Sequence, residues 1–332
     1  MAAHAARLRQ AWRRRGPLAM ALWPLSLLYG ALSALRRALY RARLLRSERL
    51  PVPVVVVGNV IAGGAGKTPA TLAVVRHLRA AGWRPGVVSR GYGRATTDCR
   101  EVLPTASAAE AGDEPLLIAR AAGVPVFVAR RRADAGRALL AAHPATDIIV
   151  CDDGLQHLAL ARDVEVCVFN DEGLGNGWLL PAGPLREPWP RAVDLVLHAG
   201  PAPGGPAPQF ALSRALADHA VDAAGRQVPL AQLRGEPLHA LAAIARPQDF
   251  FALLHAEGLR PIAEEALPDH YDFSSWKRPP DKRLRLICTE KDAVKLWPAH
   301  PDALAVPLRL SIAPAFFDAL DGTLASLSSP PH

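Results

Sequence analysis

Short apolar runs alternate with longer amphipathic segments through most of this chain, beginning with the β-branched run at 52–57. Continuous apolar runs of this length are typical of strands buried on both faces of a parallel sheet. Further strands are predicted at 84–89, 124–129, 147–151, 164–169 and 194–198, and helices at 69–81, 113–122 and 133–142. The alternation therefore predicts an α/β fold, with helices on both faces of a parallel sheet.

A tract rich in proline and glycine, 200–208, interrupts the alternation. Beyond it, apolar runs at 238–245 and 284–289 predict strands, and the segment 247–257 predicts a helix. The length of 332 residues suits about two domains. We therefore predict an N-terminal segment at 1–45, a core at 46–199, a connection at 200–210 and a smaller C-terminal α/β domain at 211–332.

The strongest chemical signal is the segment 54–69, which reads VVVVGNVIAGGAGKTP. A strand, a glycine-rich turn, Lys-Thr and a helix form a P-loop, in which backbone N–H groups and the lysine bind phosphates and the hydroxyl can ligate Mg²⁺. The usual pattern has glycine where this chain has Ile61, so the loop is a variant. The predicted nucleotide-binding residues are Ile61, Ala62, Gly63, Gly64, Ala65, Gly66, Lys67 and Thr68.

Two acids, Asp152 and Asp153, follow the predicted strand at 147–151. The carboxyl ends of parallel strands face the ligand crevice, so we expect one of them to join Thr68 in the Mg²⁺ shell while the other caps the next turn. The alternative is a solvated Asp-Gly turn. His157, a few residues further on, is predicted to contact substrate or phosphate, with a purely structural role as its alternative.

The formal net charge of +8 is concentrated at the start of the chain. Residues 1–50 contain eleven arginines and one acid, which leaves a net charge of −2 on the rest of the chain. The arginines flank an uncharged apolar stretch, 16–35, that is long enough to cross a bilayer core. This pattern favours anionic phospholipids as partners; no nucleic acid and no obligate protein partner is predicted.

Four interpretations of 16–35 compete: a signal peptide, a spanning helix, a helix lying in the membrane interface, and a buried helix of a soluble body. A nucleotide site follows at once, and ATP is cytosolic, which disfavours export. Arginines on both sides give the positive-inside rule no preference, and Pro24 and Gly30 weaken a straight crossing. We therefore predict attachment to the membrane rather than crossing.

Seven motifs, in order, identify a resemblance: GNVIAGGAGKTP at 58–69, SRGYGR at 89–94, GDEP at 112–115, DDGLQH at 152–157, LLPAGPLREP at 179–188, DHYDF at 269–273 and TEKDAVK at 289–295. This set resembles the tetraacyldisaccharide 4'-kinase family, the lipid A 4'-kinases. The resemblance implies phosphoryl transfer from ATP to the 4'-hydroxyl of a tetraacyl glucosamine disaccharide 1-phosphate, at the cytoplasmic face of the inner membrane of Gram-negative bacteria. It also implies two α/β/α units, a short strand linker and a membrane-embedded N-terminal helix.

The resemblance assigns roles to individual residues. Lys67 and Thr68 correspond to the P-loop lysine and the metal-binding threonine, and Asp113 to the carboxylate that accepts the proton of the sugar hydroxyl. The partner histidine corresponds to His270, which is followed here by Tyr271 where many members have a second histidine. An aspartate oriented by a histidine can act as a base near neutral pH. The alternative role for Asp113 is that of a helix N-cap.

Basic residues in two motifs are further candidates. Arg90 and Arg94 follow the predicted strand at 84–89, and we expect them to hold the γ-phosphate or the 1-phosphate of the acceptor; a solvated basic turn is the alternative. Arg186 and Glu187 are candidates for contact with phosphate and with Mg²⁺, respectively. For 289–295, the favoured interpretation is a helix start with its cap.

A competing function is a membrane-attached P-loop ATPase that regulates or positions a partner. Relatives of that class that dimerise across the nucleotide carry a second lysine in the loop, at the position of Ala62. The pair formed by Asp113 and His270 would activate an acceptor, which a switch does not need. A third possibility, a soluble nucleotide or cofactor kinase, leaves the basic N-terminus unexplained.

Overall fold

The computed structural model describes residue 8 and residues 10–63, 66–269, 271–278, 280–281 and 283–328. In these ranges the strands are β1 Val54–Gly58, β2 Pro85–Ser89, β3 Arg100–Glu101, β4 Val126–Val128, β5 Ile148–Asp152, β6 Val164–Phe169, β7 Leu195–His198, β8 Gln209–Leu216, β9 His219–Val221, β10 Gln227–Pro229, β11 Leu238–Ala242, β12 Ala263–Ala266, β13 Arg285–Thr289, β14 Leu304–Val306 and β15 Leu308–Ile312. The helices are α1 Pro17–Arg41, α2 Lys67–Ala80, α3 Ala108–Ala111, α4 Asp113–Ala122, α5 Arg132–Ala142, α6 Pro247–Ala256, α7 Glu290–Leu296 and α8 Pro314–Ser328, with short 3₁₀ helices at Leu230–Leu233 and Phe273–Ser275.

The larger sheet has nine strands in the order β15-β8-β7-β6-β1-β5-β2-β4-β3. Only its two outermost pairs, β15 with β8 and β3 with β4, are antiparallel. The central strands β1, β5 and β6 are buried at every position because helices cover both faces: α2, α4 and α8 pack on one side and α5 on the other. This arrangement confirms the predicted α/β fold with a large parallel sheet.

The smaller sheet has six strands in the order β10-β9-β14-β13-β11-β12, and its central pairs are parallel. Phe250, Phe251 and Leu254 of α6 pack on one face, and Ala293 and Leu296 of α7 pack on the other. The smaller sheet with its helices α6 and α7 therefore forms a second α/β unit, which we call the smaller layer. We call the larger sheet with its covering helices the larger layer.

The sheets divide the chain differently from the predicted boundaries at 200–210 and 211–332. The proline- and glycine-rich tract joins β7 to β8, which are neighbouring parallel strands of the larger sheet. After the smaller sheet, β15 pairs with β8, and α8 buries Phe316, Leu320 and Leu324 in the core of the larger sheet. The chain thus leaves the larger sheet through β8 and returns to it through β15.

The N-terminal helix α1 docks on the larger layer along one side. Ser26 donates a hydrogen bond to the carbonyl of Leu179 (2.8 Å) and accepts one from the N–H of Ala182 (2.9 Å). A Cβ at Gly30 would lie 2.8 Å from a terminal methyl of Leu179, so the helix approaches this side chain closely and a larger residue would require that methyl group to move. The rest of the helix surface exposes large apolar side chains: Leu18, Met20, Trp23, Leu25, Leu27, Leu28, Leu32 and Leu35. By length and composition, α1 could also cross a membrane.

Candidate active site

The described glycines of the P-loop, Gly63 and Gly66, line a cavity of about 990 Å³ between the two layers. Gly66 has a left-handed backbone (φ +76°), which lets the chain turn directly into α2. Gly63, Gly66, Lys67 and Thr68 line the cavity, so the N–H groups at the start of α2 face a space that can hold phosphates.

The other predicted loop residues lie elsewhere or outside the described residues. Ile61 is buried and forms a bridge with Leu185, and the N–H of Ala62 donates to the carbonyl of Pro184 (2.7 Å). These contacts fix the entry to the loop against the 179–188 motif rather than presenting it to the cavity. Gly64 and Ala65 lie outside the described residues.

The two acids at the end of β5 lie beside the P-loop because β5 is the parallel neighbour of β1. Asp153, in a left-handed conformation (φ +47°), places its Oδ1 3.6 Å from Lys67 Nζ and 3.4 Å from Arg186 Nη1. Asp152 is buried, and its Oδ1 accepts a hydrogen bond from the Thr71 hydroxyl (2.8 Å). Burial, with the nearby carboxylates of Glu114 and Asp153, raises the pKa of Asp152 to about 7.

These oxygens fit a divalent cation. Asp152 Oδ2 is buried and has no hydrogen-bond partner within the described structure. Thr68 lies one helical turn before Thr71, the hydroxyl that holds the other carboxylate oxygen. Hard oxygens are the ligands Mg²⁺ prefers, and it usually takes only one or two carboxylates from the protein and the rest from phosphates and water. The described residues contain no cluster of three or more His, Cys, Asp or Glu side chains suited to a metal.

Arg186 lines the cavity, whereas Glu187 is not among the residues that line it. Glu187 is buried, where its Oε1 accepts from Gln156 (2.9 Å) and its Oε2 lies 3.2 Å from Arg191 Nη1. The Tyr29 hydroxyl of α1 donates to the carbonyl of Arg186 (2.8 Å), so the N-terminal helix helps to hold this loop. Both carboxylate oxygens of Glu187 are thus engaged with protein groups, and the predicted Mg²⁺ contact remains a prediction.

His157 lines the cavity as a neutral side chain. Its Nε2 accepts a hydrogen bond from the N–H of Arg132 (3.2 Å), which leaves the proton on Nδ1. Burial, reinforced by the positive charges of Arg132 and Arg162, lowers its pKa to about 4. His157 therefore holds the start of α5, and any contact with phosphate would be through a neutral N–H donor.

The predicted pair Arg90 and Arg94 is separated. Arg90 lines the cavity, whereas the guanidinium of Arg94 donates to the carbonyl of Asp98 (2.6 Å) within its own loop. Sequence reasoning missed other cationic side chains, although three of them directly follow the predicted strand at 124–129, where ligands bind in parallel sheets. The additional cavity-lining arginines are Arg36, Arg130, Arg131, Arg132, Arg214 and Arg246.

The 112–115 motif meets α7 of the smaller layer. Gly112 is the N-cap of α4 and Asp113 its first residue, so Asp113 is not the cap. Asp113 is buried, and its Oδ2 lies 2.8 Å from Lys295 Nζ. Glu114, not Asp113, is among the residues lining the cavity, and His270 lies outside the described residues. The roles of Asp113 and His270 remain predictions.

A strand, a glycine-rich turn, Lys-Thr at a helix start and an acid on the neighbouring strand together define a P-loop nucleotide-binding protein. The comparisons identify the family within that class. The sequence model of LpxK, described as tetraacyldisaccharide-1-P 4'-kinase, matches residues 18–325. The chain therefore belongs to the LpxK family.

Close relatives cover nearly the whole chain. A protein named tetraacyldisaccharide 4'-kinase from Acidovorax ebreus is 84% identical over 99% of this chain and 97% of its own length. One of the same name from Delftia acidovorans is 59% identical over 97% of this chain and 96% of its own. The crystal structure of LpxK from Aquifex aeolicus in complex with ATP matches with a TM-score of 0.81 and 27% identity, over 94% of this chain and 100% of that one.

Proposed function

We propose that this protein is an ATP-dependent kinase that transfers the γ-phosphate to the 4'-hydroxyl of tetraacyldisaccharide 1-phosphate, a lipid A precursor. Its membership of the LpxK family supports this activity. The observation that carries the proposal is the convergence of Lys67, Asp153 and Arg186 at a P-loop that opens into a cationic cavity. Such a site holds a nucleotide triphosphate at one end and has room for a second anionic substrate.

Lys67 binds the β- and γ-phosphates and stabilises the charge that develops during transfer, and Arg186 contributes a second positive charge beside Asp153. Thr68 with Asp152 and Asp153 would hold Mg²⁺, which supplies charge neutralisation on the phosphates when bound. Asp113, oriented by His270, accepts the proton of the sugar hydroxyl. Arg90 and the arginines at 130–132 provide the positive lining that an acceptor phosphate requires.

The N-terminal helix attaches the enzyme to the cytoplasmic face of the inner membrane and lies in the plane of its surface. Its hydrogen bonds to the body are spread along the helix, from Ser26 through Tyr29 to Arg36, which donates to the carbonyl of Gln156 (3.0 Å). Crossing the bilayer would break these bonds. The exposed apolar side then enters the lipid, and the flanking arginines contact anionic headgroups.

The direct test is incubation of the purified full-length protein with labelled ATP, Mg²⁺ and tetraacyldisaccharide 1-phosphate in detergent. We expect label on the 4' position of the disaccharide, and no such product from the Lys67→Ala variant. ATP hydrolysis without labelled disaccharide would instead support the regulatory ATPase, and would overturn the kinase.

Removal of residues 1–45 tests the membrane proposal. We expect the truncated protein to bind ATP but to sediment poorly with vesicles containing anionic lipid, because each surface arginine contributes about 1 kcal/mol and the apolar side adds its burial. Its turnover of bilayer-embedded acceptor should also be slow, both because it is detached from the membrane and because it lacks Tyr29 and Arg36 beside the cavity. High salt should release the full-length protein only partly, since apolar contacts are not screened.

A matched pair of variants separates the two sides of α1. Replacing the exposed Leu28 and Leu32 with serine should weaken sedimentation with vesicles, whereas Tyr29→Phe, on the docked side, should leave it unchanged. Unchanged sedimentation of either the truncated protein or the Leu28/Leu32 variant would contradict attachment through this surface.

A further inference from the structure

Two lysines of α7, Lys291 and Lys295, lie at positions i and i+4 and therefore project from the same side of the helix. Lys295 Nζ lies 2.8 Å from Asp113 Oδ2 and donates a hydrogen bond to the carbonyl of Tyr271 (2.9 Å). One ammonium group thus joins the predicted base on the larger layer to a loop of the smaller layer.

Lys291 repeats this arrangement one turn earlier. Its Nζ lies 3.2 Å from Asp269 Oδ1 and 3.9 Å from Glu114 Oε1. Each lysine therefore contacts one acid of the 112–115 motif and one group of the 269–273 motif. The two loop contacts, at Asp269 and Tyr271, lie immediately on either side of His270 in the chain.

The Lys295 contact is the stronger of the two. The side chains of Lys295 and Asp113 are only 13% and 10% exposed, so water screens their attraction weakly. The helix that carries Lys295 is itself fixed at its start, where Thr289 accepts from the N–H of Asp292 and Asp292 accepts from the N–H of Ala243 (3.0 Å). The ammonium is therefore held at a defined position.

We propose that Lys295 is a positioning residue: it holds the Asp113 carboxylate in place between the larger layer and the carbonyl of Tyr271 in the smaller layer, while Lys291 joins Glu114 to Asp269 beside it. The Lys295 ammonium is already engaged by Asp113 Oδ2 and by the carbonyl of Tyr271, and so it acts through Asp113 rather than on substrate. The inference rests on the proposed function, in which Asp113 accepts a proton.

The first experiment compares Lys295→Met with Lys277→Met, a matched control at an exposed lysine. We expect kcat to fall by about 30-fold for Lys295→Met, within the range of acid–base effects, with the KM for ATP changed less than about twofold. Lys291→Met should have a smaller effect, and Lys295→Arg, which keeps the charge, should recover part of the loss.

The pH profile separates positioning from general structural damage. Among the described residues, Lys295 contacts Asp113 directly, Glu114 follows it in the same helix, and Lys291 of α7 pairs with Glu114 and Asp269 beside it. Loss of the Lys295 charge makes ionisation of a neighbouring carboxylate harder, so the acid limb of kcat should move to higher pH by about one unit. Lys277→Met should leave the profile where it is.

A double-mutant cycle with Asp113→Asn completes the test. If Lys295 acts through Asp113, Lys295→Met should cost less than about threefold once that carboxylate is gone. Full additivity, or a kcat for Lys295→Met equal to that of the Lys277 control, would overturn the proposal. Failure of the proposed function is distinguishable, because the unmodified protein itself would then form no 4'-phosphorylated product.

Discussion

Replacing Lys67 with alanine should lower kcat for the disaccharide by about 100-fold or more while leaving the fold intact, because the variant lacks the charge that stabilises the transferred phosphoryl group. In the structure this side chain is the link between the P-loop and the acid of the neighbouring strand, with Nζ 3.6 Å from Asp153 Oδ1. Steady-state kinetics, with circular dichroism as a check of folding, measures the effect.

Two comparisons sharpen that measurement. Lys277→Ala removes an exposed lysine of the same chain and should have no effect on kcat. Thr68→Ala should act through the metal, so raised Mg²⁺ should recover part of its activity. A Lys67→Ala enzyme with near-normal kcat would contradict the assignment of the P-loop, and a Thr68→Ala enzyme indifferent to Mg²⁺ would favour a structural role for that threonine.

The larger sheet was predictable from sequence because its signals are local. The valine-rich run of β1 and the apolar run of β5 are buried at every position, and a parallel sheet with helices on both faces is what such runs produce. The packing of β15 and α8 on the larger sheet was not predictable from sequence, because the pairing of β15 with β8 joins segments almost a hundred residues apart. Nothing local to 308–328 specifies which sheet completes its burial.

The candidate site also contains residues whose placement follows from local sequence signals and residues whose contacts depend on the folded structure. Lys67 begins α2 directly after β1 and its loop, and Asp153 follows β5, the parallel neighbour of β1, so the fold brings these two together. Arg186 lies in a loop, where its guanidinium reaches Asp153. Arg94 and Glu187 are equally suitable by residue type, and their predicted ligand contacts remain predictions. In the structure the Arg94 guanidinium donates to a carbonyl of its own loop and Glu187 pairs with Arg191. Contacts of this kind depend on side-chain geometry, which spacing along the sequence does not encode.

Lys295 shows the opposite case, a residue that the motif contained and the sequence did not explain. The segment 289–295 was interpreted as a helix start, and Thr289 does cap α7 as predicted. Lys295, six residues after Thr289, lies against Asp113 only because the two layers pack together. Contacts between layers are the part of an active site that a reading of separate motifs cannot supply.

Asp113→Asn should lower kcat by about 100- to 10,000-fold with little change in ATP affinity, because the amide keeps the size of the side chain but cannot accept the proton of the sugar hydroxyl. The ion pair with Lys295 complicates this test, since the variant also leaves an ammonium group without its counter-charge. Adding Lys295→Met to Asp113→Asn removes that unpaired charge. If proton transfer is what was lost, the double variant should stay as slow as Asp113→Asn.

Glu114→Gln is the matched comparison, since Glu114 is the adjacent acid of the same motif and does line the cavity. With Asp113 as the base, Glu114→Gln should retain far more activity than Asp113→Asn. Only Asp113→Asn should remove the fall of kcat at low pH that protonation of the base causes. The reverse ranking would transfer the role of base to Glu114. Loss of ATP binding in Asp113→Asn, measured by calorimetry, would show instead that this carboxylate organises the nucleotide site, because a proton acceptor for the sugar has no direct part in holding ATP.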